Sequence, residues 1–387
     1  MIQKINHLSD FGSLGGVQSY LMGLKRFANK EITLFSTKKT IEIYADPIDG
    51  ENINYLSFFN FSLFNKKKIF IIHNFILAKI WPFLEKSQTF FKKPIIYHEH
   101  GTAWHNPTRD KDKYKKRIAK VDCIIVNSKA TEILLKKIYG INQKINILRP
   151  PIYIYENDPS EYLNDGGKFY ESILKKNKII LGYIGRLEKH KNPIFLLMIS
   201  DFLKSYYGLN VEIEYVGSGP EKELLVTSAE EQNINVKFHG LVKKPGEYIK
   251  NWDFVIFPSL REPLGLVQGE VALLNKICLS SNIDGIPELY PPSTPELLIK
   301  MVKNKSNKID KNNYDYDNYQ FINEIGKFDR NYSPDIKDCA VKIIKLINDP
   351  NLCKSLLEKH RKFIYENFTI EKHFFEMKKI LKPYLIK

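Results

Sequence analysis

The chain has 387 residues, is 43% apolar and carries 59 Lys/Arg against 44 Asp/Glu, so it is long enough for two or three domains and too apolar for global disorder. Its four cysteines, Cys123, Cys278, Cys339 and Cys353, form no CxxC pair, which excludes a zinc or disulfide framework and leaves buried thiols in a reducing cytosol as the expectation. The net charge of +15 sits almost wholly in residues 1–150, where 25 Lys/Arg face 12 Asp/Glu; this suggests a polyanionic partner or surface for that half, or simply a lysine-rich composition.

In chain order, "IQKINHL" reads as a short strand and "GGVQSYLMGLKRFA" as a helix with a Gly-rich start. "ITLFST", "KKIFIIHN", "PIIYHEH" and "VDCIIVNS" read as compact apolar strands, "KATEILLKKIYG" as a helix, and "KINILRPP" closes the series. Short apolar strands separated by helices argue for a parallel α/β sheet. Residues 151–177 are polar, contain Asp-Gly-Gly and read as a linker. The alternation then restarts with the strand "KIILGYIGR". A helix over 192–207 follows, with Asn192 as N-cap and Pro193 as first helical residue. "VEIEYVGSG", "VKFHG" and "FVIFPS" are strands, with "EKELLVTSAEEQ" a helix among them. The fold expected is therefore α/β with two Rossmann-like domains, divided at 165/166. Residues 303–333, rich in Asn, Lys, Asp and Tyr, read as an irregular or mobile insertion. Three helices close the chain.

Ligands of open α/β sheets bind beyond the carboxyl ends of the strands, and several polar groups fall there. Arg186 and Lys191 follow the strand tip in "GYIGRLEKHKN"; they can grip phosphate oxygens or be two solvated cations. In "VGSGP", Gly217 and Gly219 can let the backbone approach a ligand or serve a turn entering a helix. The stretch "REPLGLVQGE" places Glu262 on a loop after a strand and Glu270 in the early turns of a helix that opens near Gly265. The amides of Gly265, Leu266 and Val267 would emerge at that helix start, where anions bind. Two acids flanking an anion site suit a nucleotide sugar, with hydroxyls at both ends and phosphates between. The plain alternative is a capping acid and a solvent-facing acid.

"RLEKHKN", "VGSGP", "FHG", "FPSLREPLGLVQGEVALL" and "GIPEL", in this order, resemble the retaining GT-B glycosyltransferases of glycosyltransferase family 4. "GSLGGVQSYL", "IIYHEHG" and "VDCIIVNSKAT" match more loosely. The resemblance implies two parallel-sheet domains facing a central cleft, with a last helix, 370–387, packing back on the first domain. It implies that Arg186 and Lys191 neutralise the donor diphosphate and that Glu262 contacts the transferred sugar. Glu270 would bind ribose, and the amides of Gly265, Leu266 and Val267, with the Gly217 loop, would meet phosphate or sugar. Gly15 and Gly16 would close on the phosphates, and His100 would bond the sugar between donor and acceptor. Departures from the pattern are Asn275 for Gly, Ile277 for Pro and Leu264 for Phe or Tyr.

The partners implied are a nucleotide diphosphate sugar, UDP-linked by preference, and a saccharide or lipid-linked saccharide of a bacterial capsule or lipopolysaccharide. A GT-B nucleotide-sugar epimerase and a non-catalytic donor-binding subunit are the alternatives. No cofactor and no metal are expected. "HEH" puts His98 and His100 on one strand face, with His105 nearby and His73 ending another strand, but no full ligand set is apparent. The Asp-x-Asp triplets at 110–112 and 315–317 follow no apolar strand, so turnover without added divalent ion is expected. No helix-turn-helix, RNP or zinc-finger pattern supports nucleic-acid binding. No apolar run is long enough to span a membrane, and the start lacks a signal-peptide core, so a cytoplasmic location is expected. Within residues 57–93, Ile76, Leu77, Ile80, Phe83 and Leu84 follow helical spacing among Lys79, Lys86, Lys92 and Lys93. That pattern fits either an anionic membrane surface or a helix packed on the sheet.

Overall fold

The computed structural model describes residues 5–10, 16–36, 54–55, 69–74, 81–105, 111–152, 178–304 and 319–384. The chain forms two compact units, residues 1–151 with 368–387, and residues 152–367. The segment 153–177, in which the sequence reading set its division, lies outside the described residues.

The first unit is built on β1 (Ile5–Ser9), β2 (Ile32–Ser36), β3 (Asn54–Tyr55), β4 (Ile69–His73), β5 (Ile96–Glu99), β6 (Cys123–Val126) and β7 (Ile145–Ile147). These pair in parallel in the order β3-β2-β1-β4-β5-β6-β7. β1, β4, β5 and β6 are buried throughout. A strand covered by helices on both faces needs apolar residues on both, which explains the unbroken runs of Ile and Val. The helix Gly16–Phe27 covers one face, where Tyr20, Leu21 and Leu24 meet Ile5, Ile69, Ile71, Ile96 and Ile125. The closing helix Ile370–Leu381 adds Phe374, Met377 and Leu381 to the same core. It is fastened by Lys378 to Glu31 at 2.6 Å and, just beyond it, by the Tyr384 hydroxyl donating to the Asp122 carbonyl at 2.9 Å.

The second unit repeats the plan with β8 (Lys178–Ile184), β9 (Asn210–Val216), β10 (Asn235–Gly240), β11 (Phe254–Phe257), β12 (Cys278–Ser281) and β13 (Leu298–Ile299). Their order is β10-β9-β8-β11-β12-β13, again parallel. Both sheets thus carry the doubly wound order in which the chain reverses direction across the middle. That reversal opens a crevice at the carboxyl ends of the two central strands, here β1 and β4, and β8 and β11. Each unit is Rossmann-like, and the fold is α/β.

Two local expectations need correction. Asn192 is not a helix N-cap. It sits in the left-handed region at φ 54° and ends a 3-10 turn, Lys189–Lys191, while the following helix runs Phe195–Tyr207 without a side-chain cap. Asparagine tolerates that backbone conformation, and its side chain instead donates to the Pro258 carbonyl at 3.2 Å. Residues 303–333 are also less irregular than composition suggests. Met301–Lys303 pairs antiparallel with Tyr332–Pro334, and Gln320–Ile322 with Lys327–Asp329. Gly326, at φ 62°, supplies the turn of the second pair; residues 305–318 lie outside the described residues.

All four cysteines are buried free thiols. Burial pushes Cys123 up to about 11 and Cys278 up to about 12, so both behave as small apolar side chains. Among the described residues no helix is long and apolar enough to cross a membrane. Of the basic-aromatic stretch, Trp81–Phe91 is helical and buries Trp81, Leu84 and Ser87 against its own unit. Ile76, Leu77, Lys79 and Ile80 lie outside the described residues.

Candidate active site

In the second unit the loops that follow β8 and β11 flank the crevice position. Three contacts stitch them together. The Leu260 amide donates to the His190 carbonyl at 2.8 Å, the Asn192 side chain donates to Pro258, and the Lys191 ammonium is ion-paired with the Glu262 carboxylate. Lys191 and Glu262 are both largely buried, at 20% and 15% side-chain exposure. An ion pair so shielded is held more firmly than one in open water. Arg186 differs: its side chain is 60% exposed and its guanidinium is engaged by Glu188 at 2.6 Å. It stands exposed at the strand tip, whereas Lys191 is largely shielded.

Glycine governs how the next loop is seated. Gly217 lies at φ 136°, and a Cβ there would collide with the Gly185 carbonyl oxygen; at Gly219 a Cβ would collide with the Leu187 carbonyl oxygen. The two loops are also joined by the Leu187 amide donating to the Ser218 carbonyl at 2.9 Å. Glycine is therefore required in "VGSGP" by backbone-on-backbone packing, which the sequence alone does not separate from ligand approach.

Glu262 is held by its main chain as well as its side chain. Its amide donates to Asp284 Oδ2 at 2.9 Å, and its carbonyl accepts from the Gly285 amide at 3.2 Å. Asp284 is buried, in the left-handed region at φ 49°. Its other oxygen, Oδ1, accepts the Phe321 amide at 2.8 Å. Burial pushes the Asp284 carboxyl up to about 7, against the pull of these two amides and of Arg261. The Phe321 strand returns the tie by accepting the Asp284 amide at 2.9 Å, and Gln320 donates to the Leu260 carbonyl at 2.7 Å. The segment read as an insertion thus buttresses the loop that carries Glu262. Neither Asp284 nor this buttress is singled out by sequence reasoning; the only signal is the turn dipeptide Asp284-Gly285.

Beyond Glu262 the chain buries Leu264, turns at Gly265 with φ 90°, and enters the helix Leu266–Leu273. The first amides of such a helix have no acceptor within it. Glu270 lies one turn in, four residues after Leu266 and three after Val267, hence on their face of the helix. Asn275 stands at φ 57° just past the helix. Its replacement of glycine therefore keeps the left-handed conformation, because asparagine is among the few residues that adopt it readily. Ile277 is buried, and its carbonyl accepts the Val255 amide at 2.9 Å.

In the first unit Gly16 opens the first helix and is exposed, while Gly15 lies outside the described residues. His100 follows β5. Its amide donates to Asn74 Oδ1 at 2.9 Å, and its Nε2 meets His73 Nδ1 at 2.9 Å. Burial, with the nearby His373, drives His100 down to about 3, so its imidazole is neutral at ordinary pH. Between His98 and His100, Glu99 points to the opposite face and accepts from Tyr97, Tyr114, Gly101 and Ala103. The side chain of His105 lies outside the described residues, as do Asp110 and the triplet 315–317. His7 and His373 also join the histidine group, and sequence reading names neither.

Residues 168–309 match the family described as "Glycosyl transferases group 1". The chain is 26% identical over 300 residues to the capsular polysaccharide biosynthesis glycosyltransferase CapH of Staphylococcus aureus, covering 72% of this chain and 81% of that protein. Among solved structures it is similar to HepE of Anabaena in complex with UDP and glucose, with a TM-score of 0.72, 15% identity, and 98% and 99% of the two chains covered. Sucrose-phosphate synthase of Thermosynechococcus elongatus gives a TM-score of 0.66 at 16% identity, with 98% of each chain covered. The fold is that of the GT-B glycosyltransferases.

Proposed function

We propose, for a chain whose residues 168–309 belong to the glycosyl transferases group 1 family, that this glycosyltransferase moves a hexose from a UDP-sugar to a saccharide or lipid-linked saccharide, with retention. The observation that carries the reading is the Lys191–Glu262 pair, held between the tips of the two central strands of the second unit. A cation fixed beside a carboxylate at a strand crevice can serve the two halves of one ligand. Lys191 would take the diphosphate and Glu262 the sugar hydroxyls. Arg186 would leave Glu188 for the diphosphate as negative charge builds on the leaving group, and stabilisation of such charge is often the largest catalytic contribution. The amides of Gly265, Leu266 and Val267 would meet phosphate or sugar, Glu270 would accept from ribose, and the Gly217 loop would bound the site. On the first unit, Gly15 and Gly16 would contact phosphate, and the neutral His100 would bond a sugar hydroxyl. The departing phosphate would receive the acceptor's proton.

HepE, solved with UDP and glucose, supports UDP as nucleotide, and CapH, named for capsular polysaccharide, supports a surface glycan as destination, capsule or lipopolysaccharide. We extend the reading to a location at the inner face of the cytoplasmic membrane, where a lipid-linked acceptor resides. Phe90 is 72% exposed on the Trp81–Phe91 helix, next to the exposed Lys86 on the helix surface, which supports an anionic lipid contact. Sedimentation with liposomes, with and without anionic lipid, tests that extension.

The reaction is tested by incubating the protein with UDP-, GDP- and ADP-sugars and saccharide acceptors, and reading the anomeric configuration of the product by NMR. An α-linked product from an α-linked donor, unchanged by added Mg²⁺ or Mn²⁺, is expected. Interconversion of the donor without acceptor would make the protein an epimerase. Donor binding without turnover would make it a binding subunit.

A further inference from the structure

The first unit gathers histidines at its own strand crevice. His7 lies on β1, His73 ends β4, and His98 and His100 come from β5 and the residue beyond it. The register pairs His7 with Ile71 and His73 with His98. Since residues two apart on a strand share a face, all four imidazoles lie on one side of the sheet. The Gly16–Phe27 helix covers that side and sets the Tyr20 ring 5.8 to 6.2 Å from the rings of His73, His98 and His100. Three strands and a helix thus bring these rings into one nitrogen-rich cluster.

Hydrogen bonds link the rings of His7, His73, His100 and His373 to neighbours. His7 Nδ1 and His73 Nε2 lie 2.9 Å apart, as do His73 Nδ1 and His100 Nε2. His373 Nδ1 donates to the Arg149 carbonyl at 2.7 Å, which leaves its Nε2 to accept from the Tyr20 hydroxyl at 2.9 Å. Two buried ring nitrogens remain unpaired among the described residues. Nε2 of His98, a residue only 1% exposed, has no hydrogen-bond partner among the described residues, and His7 Nε2 has none either. An unpaired buried polar atom costs about 1–3 kcal/mol, so a chain of imidazoles bonded only to one another leaves this cluster unsatisfied.

We propose that His73, His98 and His100 form a transition-metal site, with Zn²⁺ as the ion it suits. One ring nitrogen of each lies within 4.8 Å of those of the other two. A tetrahedral zinc with Zn–N of about 2.0–2.1 Å sets its nitrogens about 3.3 Å apart. The 2.9 Å gap between His73 and His100 therefore needs to open by only a few tenths of an ångström. His98 has an unpartnered nitrogen, Nε2, to offer as a ligand. The His73–His7 contact becomes the outer hydrogen bond that fixes the ligand's tautomer, as metal-bound imidazoles usually require. Uncharged imidazole ligands favour zinc, copper or nickel over magnesium or calcium. His100, partly exposed where the others are buried, leaves a route of entry. The site concerns the first unit and leaves the diphosphate to Lys and Arg. It shares only His100 with the reaction proposed above; the Nε2 of His100 would face the metal beside His73 Nδ1, and its Nδ1 would remain for a sugar hydroxyl.

The test uses tag-free full-length protein, dialysed against chelator and then freed of it. Titration with Co²⁺ is expected to give the visible bands of a low-symmetry nitrogen site, saturating at one ion per chain and abolished by Zn²⁺. His98→Gln and His73→Gln should weaken Co²⁺ binding at least about tenfold, while His360→Gln, in the other unit, leaves it unchanged. Zinc K-edge absorption of the wild-type protein needs no variant and should show scattering from imidazole ligands. Absence of the bands, undiminished binding in folded His98→Gln protein, or a zinc spectrum with oxygen ligands only would each overturn the site.

Discussion

Asp284 is the residue on which the Glu262 loop hangs, and its replacement has a calculable outcome. Each carboxylate oxygen accepts one backbone amide, from Glu262 at 2.9 Å and from Phe321 at 2.8 Å. Hydrogen bonds to a charged group, as this carboxyl is above about pH 7, are worth about 1.5–3 kcal/mol each, and about 0.5–1.5 kcal/mol when it is neutral. Asp284→Ala removes both but also relieves the burial of a carboxylate, so a net loss of about 2–3 kcal/mol is expected in urea unfolding. Asp284→Asn keeps one acceptor and turns an NH₂ toward the other amide, for about 1–2 kcal/mol. The pH dependence is the sharper test. The folded pKa is raised from 3.8 to about 7, so between these values the folded state holds a proton that the unfolded chain has released. Wild-type stability from this group is therefore greatest below about 4 and falls as pH rises to about 7. The fall is at most about 4 kcal/mol, from some three pH units at 1.36 kcal/mol each. Asp284→Asn has no such proton, so the difference between wild type and variant should shrink or reverse over that range. A difference that stays flat from pH 4 to 7, or an Asp284→Ala protein with an unchanged urea midpoint, would refute this role.

Gly217→Ala forces a methyl onto the Gly185 carbonyl at a positive φ and should lower stability by about 2 kcal/mol or more, read as a fall in melting temperature. His360 is stacked on Tyr290 with ring centroids 4.3 Å apart and donates to the Leu289 carbonyl at 3.0 Å. Burial lowers it from 6.5 to about 4. Its contribution is thus complete above 6.5 and lost as pH falls toward 4, by at most about 3 kcal/mol. His360→Gln should remove that part of the acid destabilisation, measured by thermal melts across pH 4–7.

The repeated strand–helix alternation was legible because buried parallel strands must be apolar on both faces, and "CIIV" and "FVIF" advertise that without help from neighbours. The acids and cations of the second unit were legible because they stand at fixed offsets from strand ends. What the sequence hides is contact between distant segments. Lys191 and Glu262 are 71 residues apart, and only the fold brings them into an ion pair. Asp284 carries no motif, since its function is to hold a backbone amide. The pairs 301–303 with 332–334 and 320–322 with 327–329 are only three residues long, too short for alternation to rise above an Asn- and Lys-rich background. The histidine group was half legible: "HEH" sets two rings on one face, but His7 and His373 reach it through strand order and the returning helix.

The central claim is that the second unit holds a diphosphate with Lys191 and reads the attached sugar with Glu262. Thermal shift with UDP-glucose measures this directly, since stabilisation grows with ligand concentration over dissociation constant. Wild-type protein should be stabilised by UDP-glucose and less by UDP. Lys191→Met should lose most of both shifts, whereas Glu262→Gln should keep the UDP shift and lose the added gain from glucose. Equal shifts in all three proteins would contradict the account.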